Sequence, residues 1–403
     1  MTVSPPAIFG GAPLYRERLP IARPVLPPVS ELLAHYRQVI ESGKLTNGDT
    51  VRRLETAAAG FLGVPECVAV SSCTAGLMLV LRCLGLQGRV VVPSFTFFAT
   101  AHSLLWNGLE PVLADCDGQS WNLDPEKARK AIGPGVSAIL AVHIYGNPAA
   151  TGDLERIARQ NRVRLIFDAA HAFGAQTGGR PVGGAGDAEI FSLSPTKLLV
   201  AGEGGLIATR NPVLAARLRA ARNYGDAGDY DCLDLGLNAR MTEFQAGLAL
   251  AGLPLVDSSV ERRNKLARIY EQYLGNQPGL SVQKIRPADR ATRKDFSIVI
   301  DEARFGISRA FLQAALEKEN VEVRRYFDPP LHRQRLYRRY YRPEADRLDG
   351  TDRISSGVLS LPIYPQMGEE DPARIARCIL EIRDWATLNR AEPATLAAAK
   401  SGR

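Results

Sequence analysis

Between residues 66 and 168, short apolar runs alternate with stretches of helical period, and few folds accept that pattern. Cys67-Val68-Ala69-Val70 is followed by a helical run from Ala75 to Leu84. Arg89–Pro93 precedes a helix through Ala99–Trp106, and Glu110–Asp115 precedes one at about 125–132. Ser137–His143 precedes a helix at about 152–160, and Arg164–Asp168 closes the series. Each run is short and continuously apolar, which is the mark of a strand buried on both faces. Strands of that kind joined by helices form an α/β fold with a mostly parallel central sheet. Ligands of such a sheet bind at the carboxyl ends of its strands, where loops and helix N-termini gather.

The chain of 403 residues is long enough for two cores. Residues 1–30 are proline-rich and predict an extended arm lying on the body. Residues 31–254 predict the large domain, opening with helices from near Val29 to Gly43 and from about Asp49 to Phe61. A long helical segment from about Thr242 to Tyr273, interrupted near Pro254, leads into a smaller α/β domain at 255–390. There the expected strands are Asp295–Ile300 and Val321–Tyr326, and the expected helices 308–319 and Pro372–Trp385. Residues 391–403 read as a frayed tail.

Several function classes are disfavoured. No apolar run reaches the roughly 18 residues that span a bilayer. Met-Thr-Val-Ser-Pro-Pro shows no basic region followed by an apolar core, which disfavours a signal peptide. The six cysteines are dispersed without a CxxC pair, which predicts free thiols in a reducing, cytoplasmic setting and no metal site. A net charge of +7 suits a phosphorylated small-molecule partner and does not argue for nucleic acid. No G-x-G-x-x-G lies between a strand and a helix, which disfavours a dinucleotide enzyme.

Lysine is scarce: nine among 50 basic residues. Lys197 is the only one between 131 and 264. It stands between the apolar run Ala188–Phe191 and the turn Gly202-Glu203-Gly204-Gly205. It is either an ordinary loop lysine or, desolvated, an amine nucleophile of the Schiff-base kind. Asp168 ends a buried strand. It either caps the next segment or pairs with a protonated heterocycle nitrogen, as acidic residues do in pyridoxal phosphate enzymes. His171 follows three residues later on the same helical face, packed or catalytic. Ser71-Ser72-Cys73-Thr74 lies between a strand and a helix, where free amides and the helix dipole suit a phosphate as well as a simple cap. Phe97 is either core or a ring for stacking on a planar cofactor, and Ser192 is a possible phosphate donor. The run Arg324–Arg342 holds seven arginines among aromatics. It reads first as a solvated face, although nucleic acid is an alternative.

Several of these segments, with Leu45-Thr46-Asn47-Gly48, Val142–Gly146, Gly236–Glu243 and Leu361–Pro365, resemble the DegT/DnrJ/EryC1/StrS family of sugar aminotransferases. That family is a branch of the fold-type I pyridoxal phosphate enzymes. The segments are colinear from about 40 to 380. The resemblance implies an aspartate aminotransferase-like fold and an enzyme carrying pyridoxal 5′-phosphate, in its pyridoxamine form between half-reactions. It implies an amino acid donor, glutamate or glutamine, and a keto-sugar acceptor of the nucleotide-linked kind. Lys197 would bond to the cofactor and move protons, Asp168 would pair with the ring nitrogen, and His171 and Phe97 would lie against the ring. Ser72, Cys73, Thr74 and Ser192 would hold the phosphate, reached by Asn238 across a homodimer. Arg240 and His332 would face the substrate. Two features depart from the family. Cysteine stands at 73 where glycine is usual, and the segment Gly225–Asp234 carries four aspartates where relatives bring basic groups. A keto-cyclitol acceptor, dehydratase chemistry and a non-catalytic cofactor-binding regulator are the alternatives.

Overall fold

A computed structural model describes residues 4–226, 228–232, 234–343 and 347–389. The expected tail, 391–403, lies outside them. The alternating runs become β1 (Glu66–Val70), β2 (Arg89–Pro93), β3 (Glu110–Ala114), β4 (Val136–Val142) and β5 (Arg164–Asp168). After a two-residue hairpin, β6 (Gln176–Thr177) and β7 (Arg180–Pro181), come β8 (Ala188–Ser192) and β9 (Gly205–Thr209). Seven strands form one sheet in the order β1-β9-β8-β5-β4-β2-β3. Only β9 runs against its neighbours. Its reversal brings its first residue, Gly205, to the edge where the parallel strands end. Helices cover both faces, and the strand side chains are almost wholly buried.

Several helices of the large unit start at a side-chain cap. Ser72 Oγ accepts from Ala75 N at 3.1 Å, Asp124 caps Pro125–Ala131, and Asn211 caps Pro212–Ala221. Thr242 and Gln245 form a reciprocal capping box at the helix Glu243–Gly252. The long segment expected from Thr242 to Tyr273 is two helices, Glu243–Gly252 and Val256–Leu274, joined by a 3-10 turn at Leu253–Leu255 that contains Pro254.

Glu243 also ties the Leu45–Gly48 turn to the sheet domain. Its buried carboxylate accepts from Gly48 N, Thr50 N and Val51 N at 2.9, 2.8 and 3.1 Å. A Cβ on Gly48 would lie 2.8 Å from that carboxylate, so glycine is required there. Glu243→Ala would strand three buried amides. We expect a stability loss of about 2–4 kcal/mol in urea unfolding, from roughly 1 kcal/mol per amide.

The smaller unit departs from expectation. Its sheet is antiparallel, β10 (Leu280–Val282), β11 (Phe296–Ile300) and β12 (Val358–Leu361), and only β11 was expected. Val321–Tyr326 is not a strand. It makes only single bridges, Leu19 to Val321 and Arg324 to Ser360. Its apolar residues Val321 and Val323 are buried against the helices, which accounts for the strand-like pattern. Helices Val256–Leu274, Arg309–Lys318 and Asp371–Asn389 pack on this sheet. The proline-rich arm lies against the same unit. Ala7 N and Leu14 N donate to the two Glu319 carboxylate oxygens at 2.6 and 2.7 Å, and Phe9 packs between Phe311 and Trp385.

Candidate active site

A cavity of about 340 Å³ opens at the carboxyl edge of the parallel strands. The segment after β1 contributes Ser72, Cys73 and Thr74, and that after β2 contributes Thr96 and Phe97. Strand β5 and its turn contribute Asp168 and His171, and β8 and its loop contribute Ser192, Ser194, Thr196 and Lys197. Lys294, Asp295, Tyr326 and Phe327 enter from the smaller unit. Residues distant in sequence thus meet because every parallel strand delivers its last residue to one edge.

The turn after β1 is built for an anion. Cys73 and Thr74 open the helix Cys73–Cys83, so their amides lie in the first turn, which lacks intrahelical acceptors. Gly205 lets β9 pass beneath, since a Cβ there would stand 2.7 Å from Cys73 N and from Ser72 C. The cysteine at 73 fits because it is the first helical residue, with its thiol turned to the sheet. Its Sγ is 3.7 Å from Ile190 O, and burial pushes the thiol well above its usual range.

Asp168 is buried at the end of β5. Its Oδ2 accepts from Thr100 Oγ1 at 2.7 Å and its Oδ1 from Ala170 N at 3.1 Å. Burial raises its pKa despite these bonds. A carboxyl so placed favours a cation beside it. Thr100, one turn into the helix Phe98–Trp106, gave no sequence signal for this role.

Lys197 follows β8 in a turn in which its own N–H donates to Ser194 O at 3.0 Å. Burial, and then the neighbouring Lys294 ammonium, lower its pKa from 10.5 to about 8. Near pH 8 half of the amine is free to attack a carbonyl. Reaction of the ligand-free protein with a small aldehyde at Lys197 should rise about tenfold per pH unit and level off above 8, read by borohydride trapping and mass spectrometry. An unperturbed lysine would still be rising at pH 10. Lys294→Met should move the midpoint upward, because it removes a like charge.

His171 Nδ1 accepts from Tyr145 N at 3.2 Å, so the remaining proton of the neutral ring is on Nε2. Burial holds its pKa well below the usual value, and its ring is stacked 6.5 Å from that of Phe327. Phe97 is 45% exposed where it lines the cavity, against 1% for Phe95 in the same run. Ser192 Oγ is 3.3 Å from Ser194 Oγ.

Three expected residues do not line this cavity. His332 is buried with both ring nitrogens engaged, Nδ1 with Ser94 Oγ at 2.8 Å and Nε2 with Asp352 at 2.9 Å. It joins the two units and does not line this cavity. Arg240 donates to Asn223 Oδ1 at 2.6 Å and lies over Tyr224, beside a separate cleft with Thr46, Asn47 and Asp226. Asn238 is exposed next to that cleft, bridged to Asn223. The aspartates of the 225–234 segment are partly neutralised. Asp234 pairs with Arg217 at 2.6 Å and Arg82 at 3.5 Å, and Asp226 accepts three backbone amides. In the arginine run, Arg324 pairs with Glu322 and Arg333 with Asp352 at 2.7 Å, while Arg325 donates to Gln313 and Arg338 to Arg333 O.

Sequence reasoning missed Lys294 and Asp295. The available signal was a second lysine at a strand start, Lys294-Asp295-Phe296, in a chain short of lysine.

This fold and site define a class: α/β enzymes of fold type I, with a buried lysine amine at the carboxyl edge of the large sheet. Within it, the chain belongs to the DegT/DnrJ/EryC1/StrS aminotransferase family, whose model matches residues 29–380. It is 30% identical over 364 residues to dTDP-4-amino-4,6-dideoxy-D-glucose transaminase of Escherichia coli, covering 90% of this chain and 98% of that one. It is 33% identical over 358 residues to UDP-N-acetyl-3-dehydro-alpha-D-glucosamine 3-aminotransferase of Acidithiobacillus ferrooxidans, covering 88% and 94%. The crystal structure of DesI in the presence of its TDP-sugar product is similar over 98% of both chains, with 36% identity and a TM-score of 0.89. Among the described residues, no helix is long and apolar enough to cross a membrane, and no cluster of His, Cys, Asp and Glu could hold a metal.

Proposed function

We propose that this aminotransferase moves an amino group from glutamate or glutamine to the keto carbon of a nucleotide-linked sugar, using pyridoxal 5′-phosphate and acting as a homodimer. The observation that carries the reading is the Lys197 amine, with its lowered pKa, in one cavity with Asp168, His171 and the Ser72–Thr74 turn. When bound, this cofactor supplies an electron sink next to the amine-bearing carbon.

The residues present fit it. The Cys73 and Thr74 amides, with the Thr74 and Ser192 hydroxyls, would hold the phosphate, and the bare Gly205 backbone leaves room beneath them. Asp168, raised by burial, would face the ring nitrogen, its proton passing to that nitrogen and leaving a carboxylate beside the cation. Phe97 and His171 would hold the ring in place. Lys197 Nζ would bond the cofactor until the donor's amine takes its place, and the freed amine would then take the proton from the donor's amine-bearing carbon. It would later return a proton to the former keto carbon of the sugar. Asn238 and Arg240, outside the cavity of their own chain, reach a site only across a dimer. The relatives named for dTDP- and UDP-linked sugars support the acceptor class.

The test is a pair of half-reactions. Protein loaded with pyridoxal phosphate and mixed with glutamate should lose its visible absorbance and release the donor's 2-oxo acid. Adding dTDP-4-keto-6-deoxy-D-glucose, the keto form of the sugar in the Escherichia coli relative's name, should restore it. Release of no 2-oxo acid from glutamate or glutamine would defeat the assignment.

A further inference from the structure

One wall of the cavity tunes Lys197 but has no contact with substrate in the chemistry above. Lys294 and Asp295 immediately precede β11 and line the cavity together with Lys197, His171 and Tyr326. Lys294 Nζ donates to Asp295 Oδ1 at 2.8 Å, and each side chain is only 5% exposed. The other carboxylate oxygen, Asp295 Oδ2, is buried with no hydrogen-bond partner among the described residues. The ammonium spends one N–H on Asp295 and lies 5.5 Å from the centre of the Tyr326 ring. A buried pair with unused donors and an unused acceptor is costly unless a ligand completes it.

The pair is held in place independently of any ligand. Lys294 N donates to Tyr145 O and Thr292 N to Gly146 O, each at 3.0 Å, and Thr292 Oγ1 donates to His171 O at 2.6 Å. From the other side, Arg263 Nη1 donates to Ile363 O at 2.7 Å and Lys294 O at 3.2 Å. The segment is thus bonded to the loop and turn that carry His171. The formal charge of the Lys294–Asp295 pair sums to zero, with a donor beside an acceptor. A carboxylate would be repelled by Asp295 as much as drawn by Lys294. A neutral hydroxyl, which accepts and donates at one oxygen, satisfies both.

We propose that Lys294 and Asp295 form the subsite that reads a free hydroxyl next to the keto carbon of the acceptor. Lys294 donates to that oxygen, and Asp295 Oδ2 accepts its proton in a hydrogen bond. The acceptor is therefore an α-hydroxy ketone. This inference rests on the sugar-acceptor reading and selects among keto sugars by the neighbouring hydroxyl.

The test compares dTDP-4-keto-6-deoxy-D-glucose with its 3-deoxy counterpart as acceptors for glutamate-treated holoenzyme. The wild type should favour the hydroxylated ketone by roughly tenfold to a hundredfold in kcat/KM. Removing one member leaves a buried unpaired group, so Asp295→Asn alone risks misfolding. The neutral double variant Lys294→Gln/Asp295→Asn avoids this. It should treat the two ketones within about threefold of each other and slow the glutamate half-reaction by less than the step with the hydroxylated ketone, since Lys294 and Asp295 act in opposite directions on the Lys197 amine. Calorimetric binding of the two ketones to Lys197→Ala protein, with and without the double change, should give the same preference and its loss without turnover. A wild type that releases the 2-oxo acid from glutamate but shows no preference for the hydroxylated ketone overturns the subsite alone. So does a double variant that keeps the preference, or one that slows the donor and acceptor steps equally. A wild type that fails with both amino donors overturns the aminotransferase reading itself.

Discussion

Lys197→Ala should abolish transamination, lowering turnover by about 10⁴-fold or more, since one group acts both as nucleophile and as proton carrier. The visible absorbance of the lysine-bonded cofactor should vanish as well, while cofactor phosphate can still occupy the Ser72–Thr74 turn. Persistence of that absorbance in the variant would show that another residue carries the bond. The same substitution has a second consequence in cofactor-free protein. Folding holds the Lys197 pKa near 8, below its value in the unfolded chain. The charged form is therefore disfavoured in the folded state. This penalty is fully present below about pH 8 and disappears as pH rises past the ordinary lysine value of roughly 10.4. Alanine removes the penalty, so the stability of the variant relative to wild type should be greatest at neutral pH and shrink toward pH 10–11. Denaturant midpoints at pH 7 and pH 10 check the sign.

Asp168→Asn should lower the rate of the glutamate half-reaction by about 10²–10³-fold, the usual loss when a preorganised group facing developing charge is removed. The side chain keeps its shape, the Ala170 N–H keeps the amide oxygen as acceptor, and the Thr100 hydroxyl turns to accept from the new amide nitrogen. Folding and cofactor content should therefore be nearly unchanged, with thermal stability equal to or above that of wild type, because a buried ionisable group is gone. A rate within tenfold of wild type would make Asp168 a structural anchor for the β5 turn. The contrast between the two variants is informative. Lys197→Ala loses the spectral signature and the rate together, whereas Asp168→Asn keeps the signature and loses the rate.

The α/β alternation from 66 to 168 was legible because a strand buried on both faces must be apolar along its whole length, and helices must separate parallel strands. The direction of those strands then places Asp168, Ser192 and the residues after Val70 at one edge with no further information. Lys197 was legible for a different reason. A single lysine in an apolar, glycine-flanked turn of an arginine-rich chain has little surface work to do. The smaller unit was harder to read. Val321–Tyr326 has the composition of a strand, but β12 takes the place beside β11, and only one bridge links the segment to β12. His332 had the residue type of a site histidine. Ser94 and Asp352, 238 and 20 residues away, occupy its ring nitrogens.

By itself, then, the sequence determined the sheet, the edge at which a ligand binds, and the lysine that waits there, because each follows from local pattern and chain direction. Only the tertiary structure decided which groups surround that lysine. Thr100 under Asp168, the like charge of Lys294 near Lys197, and Asp295 with one oxygen left unpartnered are contacts between residues tens to a hundred positions apart. Nothing in a linear pattern encodes such contacts, since burial and distance set the strength of a charge and arise only when the two units close on one cavity.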